Sequence, residues 1–489
     1  MDSQTRRNFL AYQFNFVVVA AVGFVLNPFL LSALGPVMFG IWKSLQRYLD
    51  FATLADGRAS QALKWIVANR VGLTDADKRR DVGAAIMVWL RFLPLAVLAG
   101  VVVTIMALQL IKGIPGDARW AVYATAAILA LNTMLAGLIS TPDSVLTGVN
   151  QGYKSMLVNT GAFIVSNILL ILAARNGLPF WSLAVIVLIS AIANSAVTLI
   201  IAKRSVPWWG VERPTSTDLR RVQSFSGWTI GGTAVDKLFM STEIIIISVT
   251  LGTIAVTQYT FTSYVMTFVV TITQVAASAF MPAIGSHFGA SETSKAVDVA
   301  KSIRHLAIGI AALGGSAALA FNEAFVTIWV GSQQYLGTTV NALLVLCSLQ
   351  FAIIRLDTQV LAVTLRVIPT VVFGLAASAG GVIAGIATFF ATHSLAGALL
   401  AVLAARLAAN IAFPFLVSRQ LPGSGMPGRL AFLAVAFLAA CWAIGPIVAS
   451  SDWTARGMIF VGWLVTAAAI AWFGLIPRKS IRELMFPTG

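Results

Sequence analysis

Charge is scarce in this chain. Only 10% of its 489 residues are Asp, Glu, Lys or Arg, whereas a soluble domain carries about 25% to cover its surface. A water-soluble globule is therefore excluded. Cysteine is nearly absent, and the two that occur, Cys347 and Cys441, lie inside apolar runs. That rules out a disulfide framework or a CxxC metal site. The three histidines, His287, His305 and His393, are too scattered to suggest a zinc or iron centre. No catalytic constellation and no cofactor motif is present. What fills the chain instead is apolar sequence: hydrophobic residues make up 58% and mean hydropathy is +0.88.

The apolar residues come in runs long enough to cross a bilayer as helix, which takes about 20 residues. Read between charged and Pro/Gly-rich breaks, they predict an all-α polytopic membrane protein of about 14 spans. The least apolar candidates are the second (37–55) and the seventh (224–250), because each holds charges. The first run has no small-residue cleavage site and reads as a retained helix, not a signal peptide.

Basic residues orient the spans. Lys112, Arg119, Arg175 and Arg456 fall in loops on one side, and Lys43, Arg47, Arg91, Lys237, Arg355 and Arg406 fall within spans. Every other base falls on the opposite side, among them Arg58, Lys64, Arg70, Arg221, Arg304, Arg366, Arg478, Lys479 and Arg482. The expectation is a bacterial inner-membrane protein with both termini cytoplasmic. The formal charge of +15 is thus spread over many short loops and forms no nucleic-acid-binding patch.

An internal repeat sets the domain plan. Residues 34–72 align without gaps on 251–289, pairing Leu34-Gly35 with Leu251-Gly252, Trp42 with Tyr259, Phe51 with Phe268 and Gly72 with Gly289. Six spans separate the copies, so both point the same way and the symmetry axis runs along the membrane normal. The expected domains are an N-terminal six-helix lobe (1–202), a basic linker (203–221), a second six-helix lobe (222–418), and two further helices with a cytoplasmic tail (428–489).

Charges inside spans are costly, about 2.5–3.5 kcal/mol each at the bilayer centre, and mark interiors or wet cavities. Lys43, Arg47 and Asp50 share one helix face at i, i+4 and i+7. Asp236 and Glu243 share another, next to Lys237. Arg355 and Asp357, two apart, cannot share a face, so at least one needs a partner on a different helix. Thr260, Ser263, Thr267, Thr271 and Gln274 form a polar stripe at helical spacing. It suits either interhelical hydrogen bonds or a ligand. Arg91 reads as snorkelling to the surface, and Arg406 as snorkelling or bonded to a backbone carbonyl. Pro28, Pro94, Pro369 and Pro414 are candidate kinks.

The stretch Leu34-Gly35, Phe39-Gly40 and Trp42, continuing through Asp50, Asp56-Gly57 and Ala62-Leu63, resembles the N-terminal signature of polysaccharide flippases. These belong to the multidrug/oligosaccharidyl-lipid/polysaccharide (MOP) exporter superfamily. Phe39 stands where the family has Tyr, and Asp56 and Gly57 are adjacent where the family spaces them by one. The resemblance implies a flippase that carries an undecaprenyl-diphosphate-linked oligosaccharide repeat unit from the cytoplasmic to the periplasmic leaflet. It implies alternating access, coupled to a proton or sodium gradient. The implied partners are that lipid-linked oligosaccharide, membrane lipids, a polysaccharide polymerase and a chain-length regulator, with no nucleic acid. In this reading Lys43, Arg47, Lys237 and Arg355 attract the diphosphate, and the stripe Thr260, Ser263, Thr267, Thr271 and Gln274 contacts sugar. Asp50, Asp236 and Glu243 couple the ion. A multidrug/cation antiporter or a lipid II flippase of the same superfamily is the alternative; an organic-cation site would be acid-rich, whereas bases outnumber acids here.

The topology is open to direct test. Reporters fused at Gly210 and at the C-terminal end should both report cytoplasmic locations, and periplasmic activity from either would break the span assignment.

Overall fold

The computed structural model describes residues 3–70, 72–363, 367–425 and 427–470. Arg366, Arg478, Lys479, Arg482 and the expected tail after 470 lie outside the described residues. Among the described residues all regular structure is helical. The first helices are α1 (Ser3–Ala52), α2 (Ala59–Asn69), α3 (Asp75–Leu110), α4 (Arg119–Ile139), α5 (Thr141–Gly148), α6 (Gly152–Arg175) and α7 (Phe180–Ser205). They are followed by α8 (Ser216–Thr250), α9 (Thr253–Thr262), α10 (Tyr264–Gly289), α11 (Thr293–Val330) and α12 (Thr338–Val363). The last are α13 (Val367–Thr392), α14 (Leu395–Gln420), α15 (Gly428–Ser450) and α16 (Trp453–Ile470).

Among the described residues, twelve helices are long and apolar enough to cross a membrane. Two features account for the difference from the expected number. The charges of α8 keep it out of a count based on hydropathy, and α1 runs through both of the first two apolar segments. Yet α1 cannot be one straight rod. Asn8 donates to Asn150 at 2.7 Å, while Val67, beyond the far end of α1, packs where a side chain on Gly148 would stand. Two stretches so far apart in sequence touch the same turn only if the chain doubles back between them. The single non-helical residue within α1 is Gly35, with φ 72° and ψ 166°, a region open essentially to glycine alone. Pro36 follows, at the first position of the new segment, where its missing N–H costs nothing.

The chain divides into two compact units. One comprises Met1–Lys237 with Leu251–Val256, the other Leu238–Thr250 with Thr257–Gly489. The division falls inside α8 and not in a linker. In the second unit the last turns of α8 run antiparallel to α12, since Phe239 lies against Phe351 and one arginine bonds both Glu243 and Cys347. α10 runs parallel to α12, from Gln359 on Ser278 to Val363 on Gly285. The chain has therefore turned between α8 and α10, at Gly252, φ 87°. Gly35 and Gly252, equivalent in the internal repeat, are both left-handed residues at a reversal.

The stretch expected as a basic linker is not a free loop. Asp81 of α3, fully buried, takes Arg70 at 2.5 Å and Arg221 at 3.2 Å. Arg79 reaches Glu212 at 3.4 Å. A side chain on Gly83 would lie 2.0 Å from the Glu212 carbonyl oxygen, so only glycine lets this segment lie on α3. These contacts fix where α8 begins. α3 and α14 continue through Pro94 and Pro414.

Gly35→Val and Gly252→Val should each lower the thermal unfolding midpoint of the detergent-solubilised protein, because each forces a costly backbone conformation worth about 1–3 kcal/mol. Gly116→Val, which meets open space, should not. An unchanged midpoint for Gly35→Val would remove the reversal argument.

Candidate functional site

The returning segment of α1 buries Phe39, Ile41, Trp42, Leu45 and Leu49, and helical spacing sets Lys43, Arg47 and Asp50 along the face that begins at Phe39. Lys43 holds its ammonium 5.2 Å above the Phe39 ring, a cation–π contact that eases the cost of burying it. Asp50 is half-exposed and meets Lys237 of α8 at 3.7 Å, a long and therefore weak ion pair.

Below them the chain leaves α1 through a turn. Buried Asp56 accepts from the Arg58 backbone N–H at 2.8 Å, and this Asx-type bond supports Gly57 and Arg58 in the left-handed region, φ 72° and 46°. The turn sends the Arg58 guanidinium inward, to Thr233 of α8 at 3.4 Å, with its Nε buried and unbonded. Lys237 lies within range of the charges of both Arg47 and Arg58, and Lys43 within range of Arg47. Asp50 lies within range of Lys237, and Asp56 within range of Arg58 and Lys237. Asp236 lies half-buried beside Lys237. The result is a cation-rich cluster within the first unit.

The charges of the second unit are arranged differently. Arg406, only 1% exposed, binds Glu243 at 2.9 Å and donates to the carbonyls of Phe239 at 3.0 Å and Cys347 at 3.4 Å. Its guanidinium lies over the Phe239 ring. One side chain thereby ties α8, α12 and α14 together. Asp357 pairs with Arg304 of α11, both buried. Glu243 was expected to couple an ion; with a guanidinium built in as its counter-ion, it reads as a structural acid. Arg304, expected in a loop, is instead an interior base. Arg355 is half-buried on α12.

The polar stripe spans a break in the helix at Ser263, between α9 and α10. Its hydroxyls are bonded along the helix: Ser263 donates to Tyr259 O at 2.7 Å, Thr267 to Ser263 O at 3.1 Å and Thr271 to Thr267 O at 2.7 Å. Thr260 is half-buried on α9. The Gln274 Nε2 is buried with no hydrogen-bond partner. The structure thus gathers Lys43, Arg47, Asp50, Asp236 and Lys237 in the first unit, and puts Glu243, Arg355 and the stripe in the second.

Sequence reasoning missed Arg58, because it sits next to loop residues. The available signal was the Asp56-Gly57 turn, which reverses the direction of the side chain that follows. Arg91, by contrast, is exposed on α3, as snorkelling requires.

Residues 96–334 match the family described as polysaccharide biosynthesis protein. The fold is shared with a solved structure of the lipid II flippase MurJ in an inward closed conformation (TM-score 0.68, 10% identity, covering 95% of this chain and 98% of that one). It is also shared with a MOP superfamily transporter from Pyrococcus furiosus whose binding pocket is described as of reverse polarity (0.56, 15%, 86% and 96%). An outward-facing multidrug resistance MATE family transporter is a third likeness (0.55, 15%, 85% and 96%). The chain shares the fold of these solved MOP superfamily transporters, and the part of it over residues 96–334 is similar to the polysaccharide biosynthesis family. No curated protein matches the sequence. The solved structures that share the fold are described as transporters or as a flippase.

Within this MOP fold, the Glu243–Arg406 pair should behave as a buried structural bridge. Glu243→Gln or Arg406→Met alone should destabilise by about 3–5 kcal/mol, because each strands a buried charge, while the double variant should regain much of that loss. Chemical or thermal unfolding of the three variants reads the coupling; additive losses would show that the two residues do not act as a pair.

Proposed function

We propose that the protein flips an undecaprenyl-diphosphate-linked oligosaccharide between leaflets of the bacterial inner membrane by alternating access, with its termini cytoplasmic. The observation that carries this reading is the cluster of Lys43, Arg47, Arg58 and Lys237, which outnumbers the acids facing it. Away from bulk water, unneutralised bases attract phosphate strongly, and arginine's fork matches its oxygens in pairs. A site for organic cations would need the opposite balance.

The loose Asp50–Lys237 pair suggests how cargo and ion are linked. A diphosphate competes with Asp50 for the Lys237 ammonium, and the released carboxylate is then able to take a proton or a sodium ion. Asp50, with Asp236 beside it, is on this reading the coupling acid. A polymerase and a chain-length regulator would act downstream on the delivered units.

The test uses proteoliposomes holding N-acetylglucosaminyl undecaprenyl diphosphate, with arrival in the outer leaflet read by a sugar-specific lectin. Arg47→Gln should slow arrival about tenfold or more, the loss of one charge-assisted contact, and Arg47→Lys should keep part of the rate. Asp50→Asn should retain binding while abolishing the response to an imposed gradient. Transfer at parental rate by both Arg47→Gln and Lys43→Gln would sink the proposal.

A further inference from the structure

Four aromatic rings converge within the second unit. On α10, Tyr264 and Phe268 stand one turn apart, 4.9 Å between centroids at 71°. On α11, Phe325 and Trp329 do the same, 5.3 Å apart at 32°. Tyr264 and Trp329 join the two pairs at 4.6 Å, tilted by 47°. Phe261, fully buried, supports Trp329 edge-on at 5.2 Å.

Two observations set this cluster apart from a lipid-facing aromatic belt. The outward aromatics of this unit are widely exposed: Phe390 52%, Phe415 54% and Phe432 73%. The four converging rings are only half-exposed. Second, the two rings on α10 share a helix face with polar groups. Tyr264, Thr267, Phe268, Thr271 and Gln274 fall on one side of α10 by helical spacing. The Thr267 and Thr271 hydroxyls spend their protons on their own helix and so keep lone pairs to accept with. The Gln274 Nε2, without an acceptor, is a donor to be satisfied.

Apolar ring faces bordered by a few acceptors and a donor form a pattern suited to a small polar ligand with an apolar face. A pyranose is such a ligand: its axial C–H groups pack on aromatic faces, and its hydroxyls both donate and accept. We infer that Tyr264, Phe268, Phe325 and Trp329, with Thr267, Thr271 and Gln274 along the same helix, form a sugar-binding platform in the second unit. Trp329 lies in the last turn of α11, at the opposite end of that helix from Lys295. Sugar is therefore held away from the basic end of this unit.

The inference rests on the proposed cargo, and one experiment separates the two. Binding of undecaprenyl diphosphate, and of the same lipid bearing N-acetylglucosamine, is measured on the purified full chain. Trp329→Leu and Tyr264→Leu should each weaken the glycosylated lipid about tenfold and leave the bare lipid within about twofold; Trp329→Phe, which keeps a ring, should retain most of the affinity. Equal weakening of both lipids, or parental affinity for the glycosylated lipid in Trp329→Leu, would overturn the platform. So would a parent that binds both lipids equally, with the cargo reading still standing. A parent that binds neither would overturn the cargo reading and the platform with it.

Discussion

Hydrocarbon offers no water to an ion, and the interior charges of this protein are organised by that deficit. Each needs a counter-charge, a ring face, a backbone dipole or a hydrated space. Arg406 has the first three at once, with Glu243, the Phe239 ring and two carbonyls around it. Arg304 and Asp357 pair with each other, each keeping one buried polar atom unbonded. Pairs like these give buried charges of the second unit their counter-charge and tie its helices together.

The first unit meets the same deficit less completely. Lys43 has a ring, Lys237 a distant carboxylate, and Arg58 a hydroxyl and an unbonded Nε. Partial satisfaction is what a transport site requires, because a cargo anion binds only where positive charge is not already neutralised. Too complete a pairing would release nothing to the ligand, and none at all would prevent the helix from inserting. The α3 clamp of Asp81 with Arg70 and Arg221 sets the start of α8, and through α8 the position of Thr233 and Lys237.

Much of this was legible in the sequence. Helical spacing put Lys43, Arg47 and Asp50 on one face, and that face is the one the structure leaves for charge. The alignment paired Gly35 with Gly252, and both prove to have positive φ, angles that glycine takes without strain. Reading by hydropathy failed where a helix is long or charged. Arg304 was assigned to a loop because α11 extends well past one bilayer thickness, so its first turns resemble a connection. Arg58 lies in a connection, as assigned, but the reach of its side chain to Thr233 was not legible, because a turn of two left-handed residues redirects a side chain in a way that no periodicity shows.

The sequence by itself determined that the chain is a membrane-embedded helical bundle, which helix faces carry charge, and that bases exceed acids on them. Those are properties of local composition and of the 3.6-residue period. Only the tertiary structure decided which charges are answered. Whether Glu243 faces a bound ion or Arg406, and whether Asp357 pairs with Arg355 or Arg304, depends on which helices pack side by side. Helices distant in the chain meet through the shapes of their packed surfaces, and that complementarity is not written in either helix alone.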